Sequence, residues 1–178
     1  MKYFTRFGCF LLLGAVLQTS VCAADEKPAA AASPLAPLSS LVGGLWIGAV
    51  PGPKDRPPLT IELSFAWTEN KQGIRFDSTF VRGGKRSPYT SGLYAWNGAL
   101  KKLSIVYVDS SGSLTTGTIT PEGDVLANEL TVADTDGQVD QVRVRLVKDG
   151  TEVFNNEISI QKDGKWVPLV AVRYERRK

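Results

Sequence analysis

The side chains that most often carry catalysis are scarce in this chain. Histidine is absent, and the two cysteines, Cys9 and Cys22, both stand near the N-terminus. Without histidine there is no imidazole base, no Ser-His-Asp relay, no His-ligated haem and no ordinary zinc site. Oxygen and guanidinium chemistry remain. Asp134-Thr135-Asp136-Gly137, with Asp140 after it, alternates oxygen ligands around a glycine as a calcium loop does, but no acidic residue closes the loop in register. A hairpin turn accounts for it. Ser159-Ile160-Gln161-Lys162 spells Ser-x-x-Lys, which works only when a helix brings both side chains to one face, and this segment alternates like a strand. Gly83-Gly84-Lys85-Arg86 is a basic turn with the wrong spacing for a nucleotide loop. No metal and no cofactor is expected.

What must position any site is a set of strands. Leu59, Ile61, Leu63, Phe65 and Trp67 alternate with Thr60, Glu62, Ser64 and Thr68, and this period of two is that of a half-buried strand. The alternation returns at Ile74, Phe76 and Phe80, at Leu103, Ile105 and Tyr107, at Val142, Val144 and Leu146, and at Phe154, Ile158 and Ile160. Between the runs stand Asn97-Gly98, Asp136-Gly137, Asp149-Gly150 and Asp163-Gly164, together with Gly83-Gly84 and Ser111-Gly112, all residues that accept positive φ in tight hairpins. The spacing predicts an all-β chain of about ten antiparallel strands in up-and-down order. Such a sheet, apolar on one face, closes into a barrel or splits into a sandwich. The short turns favour the barrel.

The N-terminus reads as an export signal. A basic start, MKYFTR, leads into the apolar run FGCFLLLGAVLQTSV and then small residues, so residues 1–24 are expected to be a signal peptide cleaved after Ala23 or Ala24. A lipid anchor at Cys22 would need a better box than Thr19-Ser20-Val21. The expected destination is the periplasm or the extracellular space. Residues 25–38, rich in Ala and Pro, read as a flexible tether, and residues 39–178 as the barrel domain. Losing Lys2 and Arg6 takes 21 basic residues against 18 acidic ones to a balance of +1, which calls for no nucleic-acid partner. Nor is stable membrane insertion expected, because the apolar run is too short to span a bilayer. The terminal Arg176-Arg177-Lys178 reads as a solvated tail.

Gly44-Leu45-Trp46, after a lead-in carrying Leu35, Leu38 and Leu41, resembles the Gly-x-Trp signature of lipocalins and the wider calycin barrels. With the ending ISIQKDGKWVPLVAVRYERR, it is similar to a bacterial lipocalin-like family of unknown function, related in shape to nitrobindin-type barrels. The strand count looks more like that of the ten-stranded lipid-binding barrels. The resemblance implies that Trp46 plugs one end and stacks against a basic residue of the last strand, with Arg173 as the partner. The haem of nitrobindin-type barrels is held through a histidine, so haem is not carried over.

A barrel of this class offers its interior as a pocket. Phe65, Trp67, Phe76, Phe80, Trp96, Tyr107 and Phe154, with Tyr94 and Trp166, are the aromatics available for its wall. Arg143 and Arg145 are candidate anchors for a carboxylate if part of the interior is polar, although alternation sets them on the face opposite the apolar residues. The first expectation is a non-catalytic binding protein for a small, largely apolar ligand. A closed structural or protein-interaction barrel is the alternative, and an enzyme of the cyclase or isomerase kind, drawing on a carboxyl group or tyrosine, is the third.

Overall fold

The computed structural model describes residues 33–50 and 57–177. Ten strands follow one another: β1 (Leu45–Val50), β2 (Leu59–Trp67), β3 (Gly73–Arg82), β4 (Lys85–Asn97), β5 (Lys102–Asp109), β6 (Leu114–Glu122), β7 (Val125–Ala133), β8 (Val139–Asp149), β9 (Val153–Lys162) and β10 (Lys165–Arg177). Each pairs antiparallel with its chain neighbours, and β1 pairs with both β2 and β10, so the sheet closes into an up-and-down barrel. Closure joins the first and last strands along Tyr174–Arg177 and turns the alternating apolar faces of the strands inward.

The turns supply the backbone shape that the strands need. Gly83-Gly84 (φ 55° and 80°) and Asp163-Gly164 (φ 49° and 74°) both place two successive residues in the left-handed region that matches strand twist. At Asn97-Gly98 the device differs: Asn97 Oδ1 accepts from the backbone N–H of Ala99 and Leu100, both at 3.1 Å, and the left-handed residue is Lys101. Two ladders slip by one residue, each directly after a proline that has no N–H to give. Tyr89 is the extra residue between β3 and β4, and Leu169 the extra residue between β9 and β10.

One end of the barrel is stoppered by the lead-in. Residues Ala36–Ser39 form a single helical turn, α1, with proline in its first turn. The spacing of Leu35, Leu38 and Leu41 puts all three on one side, where they are 3%, 1% and 1% exposed. Burying each of these leucines contributes about 1.5–3 kcal/mol. The tether expected through residue 38 therefore stops short of Leu35, because its leucines belong to the core. The predicted signal peptide, Cys22 and residues 25–32 lie outside the described residues. The predicted basic tail is also corrected: Arg176 and Arg177 belong to β10 and pair with Trp46 and Leu45, while Lys178 lies outside the description.

Candidate functional site: a cavity inside the barrel

The inward faces of the strands leave a cavity of about 180 Å³. One bank of its wall is aromatic and comes from β2 to β5. Phe76 lies 5.0 Å from Tyr94 and 5.7 Å from Tyr107 between ring centroids, and Phe65 lies 6.2 Å from both Phe76 and Tyr94. These are the tilted and edge-on contacts that the ring quadrupole favours. Gly92 makes the bank possible, because a Cβ there would overlap Tyr107 and the Val106 carbonyl and come within 2.7 Å of the Phe76 ring. Across the ring of strands, Phe154 stacks on Tyr174 at 4.7 Å and tilts against Trp46 at 4.8 Å. Leu130, Val144 and Leu146 fill the wall between the banks.

A few uncharged polar groups interrupt this lining: Ser78, Thr90, Asn128 and Asn156. Ser78 and Thr90 satisfy each other through their hydroxyls. Asn128 is 8% exposed, and its Nδ2 donates to the carbonyls of Leu126 at 2.9 Å and Val144 at 3.1 Å. Among the described residues, no side chain lining the cavity carries a charge. Its phenols stay neutral as well: burial raises the pKa of Tyr94 and Tyr174, and of Tyr89 and Tyr107 to a lesser degree, above the usual value near 10. For Tyr107 a hydrogen bond with Thr115 acts in the opposite direction without reversing the shift.

Of the predicted wall residues, Phe65, Phe76, Tyr107 and Phe154 come together on this cavity, and Tyr94 joins them. Trp67, Phe80 and Trp96 do not. Trp67 ends β2 and lies beside Glu69 and Arg75 at the surface, Phe80 stacks on Tyr89 at 4.0 Å, and Trp96 is 44% exposed near the end of β4. Trp166 lies outside, with the Arg143 guanidinium 4.1 Å from its ring centroid. Arg143 and Arg145 are not anchors of this cavity: they face outward and bond Glu129 at 3.2 Å and Glu157 at 2.8 Å. Alternation sets them there, since Val142, Val144 and Leu146 hold the inward positions of β8. Arg173 is corrected in the same way. It faces outward between Asp149 (3.7 Å) and Glu175 (3.3 Å), and the cation over Trp46 is Arg176.

The polar residues of the wall escaped the sequence reading, although their phase was visible. Asn128 stands between Leu126 and Leu130, and Asn156 between Phe154 and Ile158, each an amide at an inward position of its strand. Tyr89 carried no signal, because its inward aim depends on the slipped register after Pro88. The calcium-like motif is a turn: Asp134 Oδ1 accepts from the backbone N–H of Asp136 at 2.9 Å and Gln138 at 2.8 Å.

No protein-family model matches the sequence, and no curated protein matches it. Among solved structures, the chain is similar to the crystal structure of Rv2717c from M. tuberculosis, with a TM-score of 0.57 and 19% sequence identity over 83% of this chain and 99% of that one. At that identity the likeness concerns the fold alone.

Proposed function

We propose that this chain is an exported, non-catalytic binding protein of the lipocalin-like kind, which holds a small, largely apolar molecule inside the barrel. The observation that carries the reading is the uncharged, largely apolar cavity of about 180 Å³. Protein interiors contain few voids larger than a water molecule, and an empty cavity forfeits the packing of its whole lining. A barrel selected only as a closed structural module would be expected to fill that space with side chains. The enzyme reading is supported less, because the wall offers no carboxyl group and its tyrosines are held neutral. A phenol whose pKa is raised is a poor base near neutral pH, whereas it remains a sound hydrogen-bond donor.

The test is native mass spectrometry of the protein purified from its own host, followed by solvent extraction. A reproducible adduct, lost in a Val144→Phe variant that fills the cavity, is the expected result. A bare mass, together with a Val144→Phe variant more stable than the parent, would overturn the binding reading in favour of the structural barrel. Export rests on the N-terminal sequence alone and predicts a mature chain in the secreted or periplasmic fraction beginning at Ala24 or Asp25.

A further inference from the structure

We infer that the cavity selects an uncharged molecule of one or two rings that donates a hydrogen bond to Asn128; the inference rests on the binding reading and narrows it to a chemical class. Size sets the first limit. Pockets for drug-sized ligands run from roughly 300 to 1,000 Å³, whereas an apolar cavity of about 150 Å³ takes up benzene. At about 180 Å³ the space inside the wall matches one ring or two small fused rings. The tilted faces of Phe65, Phe76 and Tyr94 on one side, and of Phe154 on the other, favour a flat guest.

Charge sets the second limit. No lining residue is cationic, so an anionic guest would surrender its hydration with nothing to replace it, and no lining residue is anionic, so a cation fares equally badly. The arginines that adjoin lining residues in sequence, Arg75, Arg143, Arg145 and Arg173, are already paired on the outer surface.

Hydrogen-bond polarity sets the third. Both hydrogens of the Asn128 amide are committed to the carbonyls of Leu126 and Val144, which fixes the orientation of the side chain and leaves Oδ1 as its free atom. Among the described residues nothing donates to that oxygen, and it is not one of the side-chain atoms sealed away from solvent, so it is open to a guest in the cavity. Asn156, also a wall residue, differs in that its Oδ1 is itself buried without a donor. Filling the cavity strips solvent from an acceptor that lines it, and a guest that brings an O–H or N–H removes the resulting deficit. A guest of the same shape without a donor leaves it in place.

Three congeners of one shape separate these limits by titration calorimetry at pH 7: 2-naphthol, naphthalene and 2-naphthoate. The expected order places 2-naphthol about tenfold or more ahead of each of the others, the factor that one well-made buried hydrogen bond supplies. In Asn128→Leu the advantage of 2-naphthol over naphthalene disappears, and Val144→Phe abolishes binding of both. Naphthalene binding as tightly as 2-naphthol, 2-naphthoate binding as tightly or tighter, or an advantage that survives Asn128→Leu would each overturn the ligand class while leaving the binding reading intact. Failure of all three to bind would likewise overturn the ligand class, whereas the binding reading falls only with a bare native mass and a stabilised Val144→Phe variant. Should Asn128→Leu fail to fold, the order on the unaltered protein decides.

Discussion

The guanidinium of Arg176 lies 4.4 Å from the centroid of the Trp46 indole, and the two residues are also direct partners across the ladder that closes the barrel. The indole is 2% exposed, and its Nε1 donates to the Leu41 carbonyl at 2.9 Å, while Arg176 donates to the carbonyl of Ser40. Ring, cation and lead-in therefore hold one another. Trp46→Ala should lower the unfolding free energy by about 3–5 kcal/mol, and Arg176→Ala by about 1–3 kcal/mol through the lost cation–π contact and charged hydrogen bond. Arg173→Ala, which removes only exposed ion pairs, should cost less than about 1 kcal/mol. Urea unfolding of the three variants checks the ranking, and equal losses for Arg173 and Arg176 would reject it.

The lead-in is held by its leucines. Leu38→Ala deletes a side chain that is 1% exposed and should destabilise by about 2–5 kcal/mol. A change below about 0.5 kcal/mol in denaturant midpoint experiments would return these residues to the status of a tether.

High pH should unfold the barrel through its tyrosines. Burial raises the folded-state pKa of Tyr89, Tyr94, Tyr107 and Tyr174 above the usual value near 10, so below pH 10 both states are protonated and the full stability is present. As pH rises past 10 the unfolded chain loses protons that the folded chain retains, and stability falls. The near-ultraviolet absorbance of tyrosinate should accordingly appear together with loss of the β-sheet circular dichroism. Phenolate signal from these four residues near pH 10 in a still-folded barrel would contradict their burial.

Gly92 is expected to tolerate no side chain. In Gly92→Ala the added methyl meets Tyr107 and the Val106 carbonyl, so the aromatic bank must shift, with a loss of about 1–3 kcal/mol. Thermal unfolding measures that loss. Gly137→Ala, at a turn where the added methyl meets open space, separates crowding from the backbone penalty of a left-handed residue.

The outward arginines serve as negative controls. Arg143→Ala and Arg145→Ala should leave any bound adduct in place and change stability by less than about 1 kcal/mol each. Loss of the adduct in native mass spectra of Arg143→Ala would show that the binding site is not the interior cavity.

Period-two alternation in five runs, with the turn residues between and beyond them, carried the strand count and the closed sheet, because one face of each such strand is buried and the pattern in Leu59 to Trp67 or Val142 to Leu146 records which. The same alternation contained more than was read from it. Val172, Tyr174 and Arg176 share a phase that excludes Arg173, so the partner of Trp46 was available by counting in twos along β10. Where the pattern was silent, the cause was position along the strand. Trp67 and Trp96 belong to strands that lean inward elsewhere, yet they lie at strand ends, where the wall stops. Leu35 and Leu38 were hidden by a Pro- and Ala-rich setting that resembles a linker, and their burial depends on a barrel end that exists only after the fold has formed.

Nine of the ten ladders join strands that follow one another in the chain, and each can form as soon as its second strand is available. The tenth joins Leu45 to Arg177 and spans nearly the whole domain. Contacts between residues so far apart carry the largest loop-closure entropy and set the pace of folding. Until β10 arrives, β1 has only β2 to pair with and the Trp46 indole lacks the Arg176 that covers it. A chain that stops a few residues early would keep nine hairpin ladders and lose the seam, leaving two open edges free to pair with those of another molecule.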